Sequence, residues 1–135
     1  MKRLRDARGC MVCGIDNETG MNLEFIPAGE DGARVTGCIP VNFEGFDGVA
    51  HGGAVAAVLD DAMWWSIYHA TGADTMTAEL TARYRKPVPV GSELTVHGRL
   101  DETRGRLYRT SAYICDGDEE LARAQGTFLV PKKEV

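Results

Sequence analysis

Residues 51–72 read HGGAVAAVLDDAMWWSIYHATG, and the interpretation of this stretch decides the fold. It is rich in Ala, Leu, Met and Val, contains no proline and runs into Gly72, so it predicts a helix from Gly52 to about Ala70. At ~1.5 Å per residue that helix is roughly 27 Å long. Apolar side chains cover most of its circumference, the signature of a helix buried on nearly all sides. Beyond it the period changes to two. Ala78, Leu80, Ala82 and Tyr84 fall on one face of a strand, and Thr77, Glu79, Thr81, Arg83 and Arg85 on the other, until Pro87 and Pro89 end it. Three more strands are expected at Glu93 to Leu100, Arg106 to Cys115 and Leu121 to Val130. Thr103-Arg104-Gly105 and Asp116-Gly117-Asp118 supply the turns of an antiparallel meander. Upstream, Met21 to Ile26 and Arg34 to Ile39 read as a strand pair around a turn at 27–32. Strands of about eight to ten residues at ~3.3 Å each match the helix in length. The predicted class is α+β, a curved antiparallel sheet wrapped around one long central helix.

With 135 residues and 14.7 kDa, no repeat and no linker, the chain is expected to be a single domain over 1–135. Its 44% apolar and 26% charged residues belong to a folded, globular protein. The formal charge of −5 is uneven: +3 over residues 1–8, −10 over 9–82, +4 over 83–109 and −2 over 110–135. An acidic total argues against nucleic acid as a partner, while a basic window inside it suggests a local anionic ligand. No run approaches the ~18 apolar residues of a membrane span, and the basic start lacks the apolar core of a signal peptide. A cytoplasmic protein without membrane association is expected.

Cys10-Met-Val-Cys13 has zinc-knuckle spacing, but the sequence offers no second pair and no nearby His to complete four ligands. Cys38 and Cys115 sit singly in expected strands. The expectation is reduced structural thiols and no metal.

Chemistry is expected on the helix. Asp60 has Ala56, Ala57, Met63 and Trp64 as its one-turn neighbours, and Asp61 has Ala57, Val58, Trp64 and Trp65. Neither has a basic partner in the helix, and a carboxylate left among apolar neighbours is a candidate functional group. At the other end, the Gly52 and Gly53 amides lie at a helix N-terminus, where unsatisfied N–H groups bind an anion or polarise a carbonyl oxygen. Gly52 and Asp60 are eight residues apart, about 12 Å along the axis at ~1.5 Å per residue. That is too far for both to act on one atom within one chain, so cooperation between them implies a dimer.

Gly48-Val49-Ala50-His51-Gly52-Gly53 followed by Leu59-Asp60-Asp61-Ala62 resembles the hotdog-fold acyl-CoA thioesterases of the phenylacetate-degradation type, within the 4-hydroxybenzoyl-CoA thioesterase superfamily. The resemblance extends to Thr77-Ala78-Glu79-Leu80, to residues 84–91 (YRKPVPVG) and to the Cys10-Met-Val-Cys13-Gly14 opening. It implies hydrolysis of an aryl- or medium-chain acyl-CoA to the acid and CoA, with no cofactor beyond the coenzyme A of the substrate. By resemblance, Asp60 is the nucleophile or general base, and Gly52 N–H holds the thioester carbonyl. Thr77 orients water and His51 positions the motif. The resemblance also implies a homodimer with shared active sites, or a dimer of dimers built from it. Six residues before the motif His, several relatives carry an Asn; here Gly45 stands there beside Glu44, leaving Asn42 or a backbone amide to complete the site.

Substrate contacts are expected from Gly53, Asp61 and Trp64, with Met63, Trp65 and Tyr68 either core or pocket. Arg83, Arg85, Lys86, Arg104 and Arg106 are candidates for a basic rim facing the CoA phosphates. A non-catalytic hotdog module that binds or senses acyl-CoA is the alternative function. A hydratase or dehydratase is a further one, although His69 and His97 lack the sequence setting such enzymes use.

Overall fold

The computed structural model describes residues 7–132, so most of the basic start and the last three residues lie outside the described residues. The helix, α1, spans Gly52–Thr71. His51 caps its N-terminus, its Nδ1 accepting the Gly53 N–H at 2.8 Å. Gly72 ends it at φ +76°, a left-handed conformation that glycine adopts without strain, and donates its N–H to the Tyr68 carbonyl.

Six strands surround it: β1 (Ile26–Ala28), β2 (Gly32–Gly37), β3 (Met76–Tyr84), β4 (Leu94–Arg104), β5 (Leu107–Asp116) and β6 (Glu119–Leu129). They form one antiparallel sheet in the order β1-β2-β4-β5-β6-β3. The expected meander is β4-β5-β6, and β3 closes onto the outer side of β6. α1 packs against β2, β3, β4, β5 and β6, so the sheet wraps the helix. Val55, Val58, Leu59, Ala62, Met63 and Ile67 are buried there, together with Val96, Ile114, Ala122 and Phe128 from the sheet. Gly98 and Gly126 let the backbones approach: a Cβ on Gly98 would lie 2.3 Å from the Ala62 carbonyl oxygen.

Two local expectations change. Met21, Leu23 and Phe25 are buried in alternation, but they do not form the expected strand with β2. Met21 and Leu23 donate instead to the carbonyls of Met11 and Val12, each at 2.8 Å, and Asn22 adopts φ +54°, which breaks the extended run. Regular pairing starts only at Ile26, and the turn shrinks to 29–31. Cys38 follows β2 and is exposed.

The second change concerns β3. Strict alternation puts Thr77 on the face away from the helix. The register slips between Thr77 and Glu79, so Ala78 is an extra residue, a β-bulge. The bulge turns Thr77 to the helix side, the side of Tyr84, which contacts Gly52, and of the half-buried Leu80 and Ala82.

Candidate active site

Two contacts align α1 with β3. Tyr84 donates its hydroxyl to the Gly52 carbonyl at 2.6 Å, and Thr77 donates to Asp60 Oδ1 at 2.6 Å. Helix and strand therefore run antiparallel, with Gly52 at one end of β3 and Asp60 at the other.

Asp60 is half-buried beside the exposed Thr77. Burial pushes its carboxyl above the usual range, partly offset by the Thr77 hydrogen bond. Asp60 lines a cleft of about 270 Å³ with Ala7, Cys10, Cys13, Asp61, Trp64, Trp65, Asp74 and Thr75. Trp64 donates its indole N–H to the Thr75 carbonyl at 2.8 Å and stacks on Tyr68. These contacts fix an apolar wall next to the carboxylate. Trp65 reaches the same cleft but is a core residue, 2% exposed, and Met63 is fully buried.

Asp61 is directed to the cysteines, with Cys10 Sγ 3.9 Å from its Oδ1. Its pKa is pushed up to about 7, first by burial and then by the charge of Cys10. Cys13 holds a proton toward Cys10; the contact between the thiols lowers Cys10 to about 5 and raises Cys13. The juxtaposition of Cys10 and Cys13 with Asp61 was not legible in the sequence, where 48 residues separate Cys13 from Asp61.

At the helix N-terminus the two glycines differ. Gly53 spends its N–H on His51, which removes it from the expected substrate contacts through its amide. The Gly52 N–H has no acceptor among the described residues. His51 is thereby held with Nδ1 as acceptor, which suits the positioning role expected of it. Gly45 packs closely on the same residue, and a Cβ there would lie 3.2 Å from His51 Cα. Asn42 donates to the Thr19 carbonyl and Glu44 accepts from the Gly48 N–H, so both are engaged away from the helix end.

The basic rim divides. Arg83 and Arg85 line a shallow cleft of about 210 Å³ with Arg123. Arg85 and Arg123 share Glu120, Lys86 pairs with Glu119 at 2.6 Å, and Arg83 has no ion-pair partner among the described residues. Arg83 lies directly opposite Arg123 in the sheet, a like-charge pair that an anion would relieve. Arg104 lies elsewhere. Through the pairings Arg104–Leu107, Leu107–Leu129 and Leu129–Met76 it reaches the Thr77 end of β3. That is seven residues from Arg83, roughly 23 Å at ~3.3 Å per residue. Arg104 pairs there with Glu102, and Arg106 donates to the Val130 carbonyl. Within one chain the basic window is two clusters, because the strands that carry it run in opposite directions.

A family model for the thioesterase superfamily matches residues 47–123, more than half of the chain. Acyl-coenzyme A thioesterase THEM4 of Bos taurus is 29% identical over 118 residues, 85% of this chain and 48% of that protein. The chain spans about half the length, or less, of the curated relatives it matches. Among solved structures, protein RHA08564, a thioesterase superfamily protein, superposes with a TM-score of 0.84 at 26% identity, over 95% of this chain and 70% of that one. The protein smu.793 from Streptococcus mutans UA159, solved bound to acetyl CoA, superposes with a TM-score of 0.73 at 22% identity, over 84% and 92%. No helix among the described residues is long and apolar enough to cross a membrane. A long helix wrapped by six antiparallel strands, with the matched region running from the helix approach into β6, is the hotdog fold, and the chain belongs to the thioesterase superfamily.

Proposed function

We propose that this chain is an acyl-CoA thioesterase, hydrolysing an aryl- or medium-chain acyl-CoA to the free acid and CoA. The observation that carries the reading is the 2.6 Å contact of Thr77 with Asp60, which lines a cleft together with Trp64. A carboxylate held by a hydroxyl, in a partly dry cleft open to a ligand, is equipped to attack an acyl carbon or to deprotonate a water that does. The Gly52 N–H, at the positive end of the helix, takes the oxygen that becomes negative in the tetrahedral intermediate. Collapse of that intermediate expels the CoA thiolate, which then takes up a proton.

Supply of both groups to one thioester requires a second copy. β3 is an edge strand whose outer side has no strand partner among the described residues, and most of its residues are exposed. Two copies pairing antiparallel along β3, with the two-fold axis near its middle, exchange the strand ends. Thr77 and Asp60 then meet Gly52 of the partner subunit, so a symmetric dimer carries two shared sites. The Arg83 cluster of the partner subunit comes to the same end, where the phosphates of CoA need cations. A dimer of dimers is compatible with this pairing.

The test is thiol release from a panel of acyl-CoAs by the parent and by Asp60→Asn. The expected loss is at least ~10²-fold, the low end for a positioned base. Full activity in Asp60→Asn would refute the role of Asp60. Tight acyl-CoA binding without turnover by the parent would favour the binding or sensing module. A fully active monomer would refute the shared site.

A further inference from the structure

Cys10, Cys13 and Asp61 each offer a metal-ligating atom, and these atoms all lie within 4.8 Å of one another. We propose that Cys10 Sγ, Cys13 Sγ and a carboxylate oxygen of Asp61 form a binding site for a zinc-class divalent cation, tying the N-terminal segment to the middle of α1. A set of two sulfurs and one carboxylate selects a borderline-soft ion such as Zn²⁺ over Mg²⁺ or Ca²⁺, which take oxygen.

Four observations support it. First, a tetrahedral zinc with bonds of ~2.3 Å to sulfur and ~2.0 Å to oxygen separates those two donors by about 3.5 Å. Cys10 Sγ and Asp61 Oδ1 are already 3.9 Å apart, so side-chain adjustment alone closes the site. Second, the loop is shaped for a ligating sulfur: the backbone N–H groups of Val12 and Cys13 point at Cys10 Sγ from 3.4 and 3.5 Å. Amide dipoles aimed at sulfur stabilise the thiolate, the form that ligates. Third, that turn is closed tightly enough to demand the glycine after Cys13. A Cβ on Gly14 would lie 2.4 Å from both the Arg8 carbonyl oxygen and the Cys10 nitrogen. Fourth, Asp61 Oδ2 is inaccessible to solvent and accepts no close hydrogen bond among the described residues, the Cys13 thiol and the Trp65 indole being the groups that face the carboxyl. A buried carboxylate oxygen without a partner is costly, and a cation would supply the missing interaction. A disulfide between the two cysteines would leave that oxygen as it is.

The three ligands line the 270 Å³ cleft, so the fourth position faces open space and is suited to a water molecule. Binding releases to solvent the proton that Cys13 holds toward Cys10. The cation would brace residues 10–13 against α1, and the Met21 and Leu23 hydrogen bonds to residues 11 and 12 would pass that brace to the segment leading into β1. The site stands independently of the thioesterase reading, and its readout needs no turnover.

The full-length protein, reduced and stripped with a chelator, is titrated with Co²⁺. One equivalent is expected to give the intense near-ultraviolet band of thiolate-to-cobalt charge transfer, which Zn²⁺ then displaces. Cys10→Ser and Cys13→Ser should each weaken binding by at least ~10²-fold. Asp61→Asn should weaken it about tenfold or more while keeping the band, because both thiolates remain. Cys38→Ser, remote and exposed, should titrate like the parent. Absence of the band in the reduced parent overturns the site, and this needs no variant to fold. A band that survives Cys10→Ser, or an Asp61→Asn titration that matches the parent, also overturns it.

Discussion

Gly98→Ala probes the contact that sets the distance between helix and sheet. Gly98 sits in β4 beneath α1, and an added Cβ would lie 2.3 Å from the Ala62 carbonyl oxygen and 2.6 Å from Ser66 Oγ. Ordinary contact begins near 3.4 Å, so about 1 Å must be found. Ser66 can rotate, although its hydroxyl then gives up the 2.7 Å bond to the same carbonyl. The Ala62 carbonyl is helix backbone and cannot move alone. Displacing α1 by that amount loosens the packing of Val58, Ala62, Met63 and Ile67, all fully buried. Overpacking costs ~1–3 kcal/mol, and a clash with backbone belongs at the upper end, near ~3 kcal/mol. Unfolding entropy of ~2.1 cal/mol/K per residue gives ~0.28 kcal/mol/K for a chain of this length, so Tm should fall by roughly 10 °C. Thermal unfolding followed by circular dichroism measures this. Adding Ser66→Ala removes only the side-chain clash and should restore less than half of the loss. A Gly98→Ala protein melting within ~2 °C of the parent would refute the assignment of this contact as the spacer.

Three other variants examine the site. Thr77→Val keeps the volume and deletes the donor to Asp60; a hydrogen bond to a carboxylate is worth ~1.5–3 kcal/mol, so kcat should fall at least about tenfold with KM little changed. Unchanged kcat would reduce Thr77 to a structural role. His51→Ala removes the cap on α1, worth ~1 kcal/mol, and should lower Tm by about 4 °C, while His51→Asn should recover most of it, since Asn caps well. Failure of Asn to recover stability would show that His51 does something other than cap. Arg83→Glu should raise KM for CoA esters more than for truncated thioesters lacking the phosphates; equal effects would remove Arg83 from phosphate binding.

The helix and the β4-β5-β6 meander were legible because their signals are local: the apolar content of 52–71, Gly72 as stop, and glycine turns at regular intervals. The segment 21–25 was not. Its alternation is real, but which backbone its amides pair with depends on a loop ten residues earlier in the chain. Asp60 stood out by lacking a basic partner within the helix, and its proximity to Thr77 came through the resemblance. Alternation alone placed Thr77 on the wrong face, because a bulge leaves no mark in composition. The division of the basic window and the meeting of Cys10 with Asp61 depend on strand order and on a loop crossing the helix. Neither is written in spacing along the chain.

The extra residue in β3 has a genetic consequence. Deleting Ala78 would restore plain alternation, leave the pairings from Glu79 to Tyr84 in place and remove no core side chain. Thr77 would take the place that Ala78 holds in plain alternation, on the helix side, so its hydroxyl would still face Asp60. A three-base lesion at this codon would thus spare both the sheet and the reaction centre, whereas the same lesion in β2, whose pairing with β4 is regular, would turn the residues on one side of it to the opposite face. Screens for expression and screens for turnover would both pass the Ala78 deletion, and both would reject the one in β2.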